Sequence, residues 1–422
     1  MKIEKCIIAD DFTGSADSAI HYRKAGYMTV MFINDRVLAE YDNYNVKVIN
    51  TETRFDSESI AYEKVFKAAS DCVSAGVSDI FKKIDSTMRG NIGSEIKAIL
   101  DAVGYRAAVI APAAPRNNRT VINGICYANG NPIKNTESGT DPFNPVASSN
   151  IVEILEKTFK KETGHINLSV VRDGSTALLN MVQELIDKGK KVITADAETM
   201  EDLKTIAVVN ERPDILIAGS SGMAEALCSR QDFINIKKEI LGKKILIVVG
   251  SLTSTSRAQA DRFSREVANL QILLDIKKVI SNSESEKKRI TSLVSKNPGG
   301  LPVVIRTSES GDKIDQSSQY YSPPDGKIIS GFLGNLISDL VQKNAANTIF
   351  ITGGDTAYEI VSCLETECVI FEKEILPGIP LLRLIRNKKP CEISIVTKAG
   401  GFGEEDAIIR IMNYIGVSDH AV

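Results

Sequence analysis

Apolar, β-branched runs alternate along the chain with helix-length segments in which apolar and charged positions recur every three or four residues. This alternation is typical of a mostly parallel sheet covered by helices. In the first half, the pattern predicts strands over residues 28–33, 46–50, 80–83, 107–111, 192–194 and 215–218, and helices over 59–75 and 176–188. In the second half, it predicts strands over 244–249, 271–275, 303–306, 348–351, 369–371 and 393–397, and a helix over 330–343.

Some of the apolar runs lead through a cluster of Gly, Ser, Thr and Asp into a predicted helix, at residues 7–14, 215–222, 349–356 and 393–403. Unpaired N–H groups and roughly half a positive charge mark a helix N-terminus, and small residues let an anionic group approach the backbone there. The clusters that contain Asp10 with Asp11, and Asp355, add carboxylates that suit a reacting hydroxyl or a bound Mg²⁺. The pattern therefore indicates a site that binds anions and also carries acids.

The chain is long enough for two cores, since its 422 residues exceed the roughly 250 to 300 at which one core stops growing. A charged stretch of weak pattern over 230–243 separates the two series of strands. We therefore predict an α/β fold of two domains, residues 1–232 and 233–422. Each is expected to be a mostly parallel sheet flanked by helices, with the site in the interdomain cleft.

Three segments interrupt the alternation, and we predict them as loops: 112–120, 140–145 and 311–327. A helix is expected directly after the second of them, because Asn150 can cap it and Glu153 occupies the capping-box position.

Charge and cysteine content narrow the function classes. The net charge of −3 comes from 51 basic and 54 acidic residues that are well mixed, so a nucleic-acid partner is not expected and the ligand should be small. Seven cysteines without a C-x-x-C pair fit neither a disulfide scaffold nor a zinc site. No signal-like segment and no apolar run of roughly 20 residues is present. A soluble, cytoplasmic protein without a membrane partner is expected.

The first half places polar side chains directly after two predicted strands. Asp10, Asp11, Thr13 and Ser15 follow the first strand, where they could grip sugar hydroxyls or simply cap a helix. The second group follows the strand at 80–83, where a guanidinium suits a planar carboxylate and a lysine supplies a mobile charge. Its candidates are Lys82, Asp85, Ser86 and Arg89. A solvated surface turn is the alternative for this group.

Arg116, Asn117 and Arg119 in the loop at 112–120 could add positive charge to the same cleft, although loop arginines are often simply hydrated.

The second half offers hydroxyls and glycines for a phosphate chain. Ser251 opens a hydroxyl-rich turn that could bind phosphate or cap a helix. Gly353, Gly354, Asp355 and Thr356 form the stronger element, because the glycines open the backbone beside a carboxylate. Asp355 could accept the proton of an attacking hydroxyl, position a metal, or only cap a helix.

A glycine-rich loop over 398–406, which includes Gly400 and Gly403, can lie flat along a nucleotide. Familiar alternatives are absent from the sequence: neither a Walker phosphate loop nor a G-x-G-x-x-G dinucleotide fingerprint occurs. The histidines, His21, His165 and His420, lie far apart in sequence and suit neither a triad nor a zinc site.

Taken in order, six motifs resemble the four-carbon acid-sugar kinase family over nearly the whole chain: IADDFTGSAD at 8–17, KIDSTMRGN at 83–91, APAAPRNNRT at 111–120, GSSG at 219–222, TGGDT at 352–356 and KAGGFG at 398–403. The resemblance implies an N-terminal sugar-acid domain, a C-terminal nucleotide domain, and ATP-dependent phosphorylation of the terminal hydroxyl of D-threonate, D-erythronate or a 3-oxo-tetronate. It also implies ATP contacts at Ser251, at Gly353 through Thr356 and near Gly400. Relatives often read Ser-Gly-Asn-Phe-Gly where this chain has AGGFG at 399–403, so side-chain contacts are not implied there.

The sequence thus favours a two-domain kinase with ATP and Mg²⁺ as cofactors. Asp10, Asp11, Lys82, Asp85, Ser86, Arg89 and Arg116 are the expected substrate-binding residues, and Asp355 is the expected general base or metal positioner. A nicotinamide-dependent sugar-acid dehydrogenase and a non-catalytic sugar-acid sensor remain alternatives. The particular acid, the metal ligands and the subunit assembly, for which a homodimer is one option, are left open by the sequence.

Overall fold

The computed structural model describes residues 5–33, 41, 43–77, 79–141, 144–228, 244–297, 300–308 and 323–415. The chain divides into two compact units, Met1–Ile234 and Asn235–Val422. The predicted boundary at 232/233 and the charged stretch around it lie outside the described residues.

The first unit contains eleven described strands: β1 Lys5–Ala9, β2 Thr29–Phe32, β3 Val46–Asn50, β4 Ile80–Lys83, β5 Ala107–Ala111, β6 Arg119–Ile122, β7 Ile125–Ala128, β8 Asn131–Pro132, β9 Thr163–Ile166, β10 Val192–Ala195 and β11 Ile215–Gly219. Its described helices are α1 Phe12–Lys24, α2 Glu58–Ser74, α3 Ile92–Val103, α4 Ile151–Phe159, α5 Leu168–Arg172, α6 Ser175–Asp187, α7 Met200–Ile206 and α8 Ser221–Cys228.

Eight of these strands pair in parallel, in the order β2-β3-β1-β4-β11-β5-β10-β9. Their buried, mostly apolar side chains, such as Ile7, Ile8, Phe81 and Ile110, form the core between the sheet and its helices. Such near-continuous apolar runs are expected of strands covered on both faces. The parallel α/β fold predicted for this half is confirmed.

The small antiparallel sheet β6-β7-β8 was not predicted. The segment 112–118 is a loop with one 3₁₀ turn, as expected, but Arg119 and Thr120 already belong to β6, so the predicted loop ends too late. The helix expected after Asn150 is confirmed as α4, and Asn150 Oδ1 accepts the backbone N–H groups of Val152 and Glu153. Residues 142–143 of the predicted loop at 140–145 lie outside the described part.

The second unit contains the described strands β12 Ile245–Val249, β13 Leu270–Leu273, β14 Val303–Arg306, β15 Thr348–Thr352, β16 Cys368–Leu376, β17 Ile379–Arg386 and β18 Lys389–Lys398. Its described helices are α9 Ser254–Glu266, α10 Ile276–Ser281, α11 Ser283–Ser295, α12 Pro323–Gln342, α13 Gly354–Cys363 and α14 Ala407–Ile415.

The order β13-β14-β12-β15-β18 is parallel, and β17 and β16 continue it as an antiparallel extension. A core cluster under α9 and α14 includes Ile247, Phe263, Phe350, Val396 and Ile411. β17 was not predicted. The loop expected over 311–327 is wrong at its end because α12 begins at Pro323, and its residues 311–322 lie outside the described part.

Candidate functional site

Parallel pairing brings three polar chain segments of the first unit to one edge of its sheet. Ala9 at the end of β1 aligns with Asn50 of β3 and with Lys83 of β4. The residues that follow these strands therefore emerge side by side at the carboxyl edge, where ligands bind in open α/β sheets.

Arg54, which follows β3, joins the two predicted acids of β1. Its guanidinium donates to Asp10 from Nε at 2.8 Å and from Nη2 at 3.1 Å. It also donates to Asp11 from Nη1 and Nη2, both at 2.8 Å. All three side chains are buried. Sequence reasoning missed Arg54, and its only signal is its position four residues after a predicted strand.

The two acids differ in their remaining partners. Asp11 is the N-cap of α1: its carboxylate accepts from the Gly14 N–H at 2.9 Å and from Thr13 Oγ1 at 2.9 Å. The capping role considered for Asp11 is thus confirmed, and the structure adds its ion pair with Arg54. A Cβ on Gly14 would overlap Asp11 Oδ1, so this approach requires glycine. Burial raises the pKa of Asp10, but Arg54 and Lys82 outweigh it, and the net pKa of Asp10 is lowered.

Asp85 and Arg89 converge in the turn after β4, as predicted. Asp85 Oδ2 accepts from Arg89 Nε at 2.7 Å and from Thr87 Oγ1 at 2.6 Å, and Arg89 Nη1 donates to Asp141 at 3.1 Å. Burial raises the pKa of Asp85, but Arg89 and Arg54 outweigh it and hold that pKa well below its usual range. Asp85 is therefore ionised at neutral pH and accepts hydrogen bonds. Ser86 lies half-buried beside it.

Lys82 lies beneath this surface rather than on it. Its side chain is fully buried, and Nζ pairs with Glu95 Oε2 on α3 at 2.7 Å. Thr53 Oγ1 donates to the other oxygen of Glu95 at 2.7 Å. A direct contact between Lys82 and a bound acid would require Lys82 to leave Glu95.

Arg116 and Arg119 have different surroundings. The Arg116 side chain is 68% exposed and pairs with Glu225 on α8 at 2.6 Å. Arg119, at the start of β6, is half-buried, and the charges of Asp85 and Arg89 shift its pKa in opposite directions. The predicted role of Arg116 in substrate binding stays a prediction.

In the second unit, the loops after three neighbouring strands meet in the same way. Val249 aligns with Thr352, and Thr352 aligns with Lys398, so segments 250–253, 353–356 and 399–403 emerge together. A Cβ on Gly250 would overlap Thr356 Oγ1, and one on Gly400 would overlap Ser251 Oγ. The structure thus brings the predicted nucleotide-binding residues of these segments together, with Gly353 at φ +102° opening the turn before α13.

The side chains of Lys398 and Gln259 hold the glycine-rich loop. Lys398 Nζ donates to the carbonyl oxygens of Ala399 and Gly400 at 2.9 Å each and of Phe402 at 3.1 Å. Gln259 Nε2, on α9, lies 3.0 Å from the carbonyl oxygens of Phe402 and Gly403 and 2.9 Å from that of Glu404. Burial lowers the pKa of Lys398 to about 7. The sequence motif included Lys398 but did not show this role.

Asp355 lies exposed in the first turn of α13, where the positive end of the helix dipole stabilises its negative charge. Within the described ranges, no group of three or more His, Cys, Asp or Glu side chains could hold a metal. The site residues thus form two strand-edge clusters. The first consists of Asp10, Asp11, Arg54, Asp85 and Arg89, and the second of the segments 250–253, 353–356 and 399–403. His165 contacts Thr194 and Asp196 and belongs to neither cluster. The seven cysteines all lie within the described ranges and form no disulfide there.

Two family models match the chain in order. A sugar-binding N-terminal domain matches residues 5–227, and a nucleotide-binding C-terminal domain matches residues 246–408. The described part of the chain has no helix with the length and apolar character needed to cross a bilayer.

Named relatives align over almost their whole length. The chain is 30% identical to the D-threonate kinase of Salmonella typhimurium, with 97% of each chain covered. It is 28% identical to the D-erythronate kinase of Heliobacterium modesticaldum, covering 97% of this chain and 96% of the relative. It is 25% identical to the 3-oxo-tetronate kinase of Brucella melitensis, covering 94% and 93%. A solved Salmonella typhimurium structure, 22% identical, has a TM-score of 0.80 with 97% and 98% covered, which supports the fold.

Proposed function

Because the chain belongs to the family of four-carbon acid-sugar kinases, and is therefore a phosphotransferase that acts on a hydroxyl group, we propose that it transfers the terminal phosphate of ATP to the 4-hydroxyl of D-threonate, D-erythronate or a 3-oxo-tetronate. The observation that carries this proposal is the match of a sugar-binding and a nucleotide-binding model to two successive units. Each unit gathers polar residues at the carboxyl edge of its sheet.

The first unit supports binding of a small polyhydroxy acid. The carboxylates of Asp10, Asp11 and Asp85 can accept hydrogen bonds from sugar hydroxyls. Nearby arginines hold the pKa of Asp10 and the pKa of Asp85 below the usual value. Ser86 adds a hydroxyl, and Arg89 adds a guanidinium for a carboxylate. Lys82 stabilises the site indirectly: it forms a buried ion pair with Glu95, and its charge lowers the pKa of Asp10.

The second unit supports binding of a phosphate chain. Ser251, Gly353, Gly354, Thr356, Gly400 and Gly403 line loops whose glycines let phosphate oxygens approach backbone N–H groups. Nucleotide sites commonly hold Mg²⁺ through one or two carboxylates, the phosphates and water, so a single exposed carboxylate such as Asp355 fits that ion. We assign Asp355 the role of general base or metal positioner. The interdomain cleft, the homodimer and the cytoplasmic location stay predictions.

The test measures ADP release from ATP and Mg²⁺ with D-threonate, D-erythronate and the 3-oxo acid side by side. We expect turnover with at least one of them, and the ratio of kcat/KM values identifies the preferred acid. Binding of these acids without ADP release would instead support the sensor. Quenching of NADH fluorescence on titration with the protein would support the dehydrogenase.

A further inference from the structure

Arg119 stands apart from the other arginines near Asp85. Arg54 makes four hydrogen bonds to Asp10 and Asp11, and Arg89 donates to Asp85 and Asp141. In contrast, the Nε atom of Arg119 is buried and has no hydrogen-bond partner among the described residues. A buried donor that belongs to a charged group is costly to leave unsatisfied.

The backbone fixes Arg119 at this position. Its N–H donates to the Ala114 carbonyl at 3.1 Å, and its own carbonyl accepts from the Ala114 N–H at 3.0 Å. Arg119 then pairs with Ala128 as β6 begins. The side chain therefore starts from an ordered strand and not from a mobile loop.

Charges around Arg119 do not replace the missing partner. Asp85 attracts it, but the oxygen Oδ2 of Asp85 already accepts from Arg89 and Thr87. Glu137 also attracts Arg119, whereas Arg89 repels it, and burial outweighs both acids so that the pKa of Arg119 is lowered. An additional anion beside Arg119 would relieve both the repulsion and the unsatisfied donor.

We propose that Arg119, together with Arg89, binds the C1 carboxylate of the sugar acid and so makes the enzyme specific for acids over the corresponding polyols. This inference rests on the proposed function, because it assumes that a hydroxy acid occupies the first unit. A guanidinium suits a carboxylate since its parallel N–H groups can bind both oxygens. The hydroxyls of the same ligand would then face the acceptors Asp10, Asp11 and Asp85.

The test compares wild type, Arg119→Met and Arg119→Lys with the preferred acid and with its carboxylate-free polyol, threitol or erythritol. Loss of a hydrogen bond to a charged group should raise KM for the acid about 10- to 100-fold in Arg119→Met. KM for ATP and for the polyol should stay near the wild-type values. The KM of Arg119→Lys for the acid should lie between those of the wild type and Arg119→Met, because lysine keeps the positive charge but lacks the parallel N–H groups of a guanidinium.

Arg106→Met is the matched control. It removes one positive charge from the same unit, where the Arg106 side chain is 51% exposed and lies 3.5 Å from Asp214. Its KM for the acid should not change. Thermal melting of each variant identifies any loss of fold, and the KM of ATP reports on the second unit in the same sample.

The outcomes separate the two proposals. Wild-type protein that phosphorylates none of the acids refutes the proposed function and this inference with it. Wild-type turnover, together with equal increases in KM for the acid and for the polyol in Arg119→Met, refutes the inference alone. A fall in kcat with unchanged KM for the acid would likewise overturn it, by assigning Arg119 to the transferred phosphoryl group.

Discussion

Replacing Lys82 by methionine tests the buried ion pair that underlies the first strand-edge cluster. Both partners are at most 1% exposed, and Lys82 Nζ lies 2.7 Å from Glu95 Oε2. The Lys82→Met variant leaves the carboxylate of Glu95 buried without its cation. Breaking such a pair from one side typically costs about 3–5 kcal/mol of unfolding free energy.

The double variant Lys82→Met with Glu95→Leu should recover most of that loss. An apolar pair of similar volume removes the cost of desolvating both charges, which often makes the exchange neutral or stabilising. Thr53 loses its acceptor at Glu95 but keeps its contact with Thr51 at 2.8 Å, so a residual loss of about 1 kcal/mol is expected. Urea titrations followed by circular dichroism would measure all three free energies of unfolding.

A double variant as unstable as Lys82→Met would refute this reasoning, because an uncompensated charge could then not be the cause of the loss.

The same double variant tests the predicted contact of Lys82 with the substrate. Since the ammonium group is fully buried, we expect KM for the acid to change by less than about threefold; an increase of about tenfold or more, roughly 1.4 kcal/mol, would show that Lys82 binds the acid directly.

Three further predictions concern the two strand-edge clusters. Asp355→Asn should lower kcat at least about 100-fold with little change in KM, because a base or metal positioner acts mainly in the transition state; steady-state kinetics showing near-normal kcat would exclude that role. Arg89→Ala should raise KM for the acid about tenfold or more and also release Asp85, whereas an unchanged KM would remove Arg89 from the carboxylate site. Burial lowers the pKa of Lys398 to about 7, so the unfolded state binds more protons than the folded state between about pH 7 and pH 10. The free energy of unfolding of the wild type should therefore rise with pH in that range. The rise relative to Lys398→Met should reach up to about 1.4 kcal/mol per pH unit. Parallel urea titrations of the two proteins across that range, with no difference in slope, would contradict a buried, titrating Lys398.

The sequence predicted the strands that carry the sites because their apolar runs are long and bounded by turn residues. It missed β17, although Gly378 at φ +72° lies in the turn before that strand; the turn after it, at Asn387 and Lys388, has positive φ without a glycine. It also missed the small sheet, although Asn123-Gly124 and Asn129-Gly130 are typical of two-residue hairpin turns, and all four residues have positive φ.

Contacts between residues that lie far apart in sequence limited how much of the candidate site could be predicted. The residues after β1 and β4 could be predicted, because strand ends in a parallel sheet share an edge. The partners of those residues could not: Arg54 lies 44 positions from Asp10, and no local pattern connects them. The buried ion pair of Lys82 with Glu95 could not be predicted either. No local pattern connects the two residues, and a charged residue in a strand is more often exposed than paired inside the core.

The contacts of Lys398 and Gln259 have a consequence for ligand selectivity. They engage the carbonyl oxygens of Ala399, Gly400, Phe402, Gly403 and Glu404, so that the acceptors of this loop are directed inward. Fewer carbonyl acceptors of this loop therefore remain for a cation that approaches from solvent. If the phosphate chain binds at this loop, as proposed, little conformational entropy remains to be lost on binding, because these contacts already order the loop.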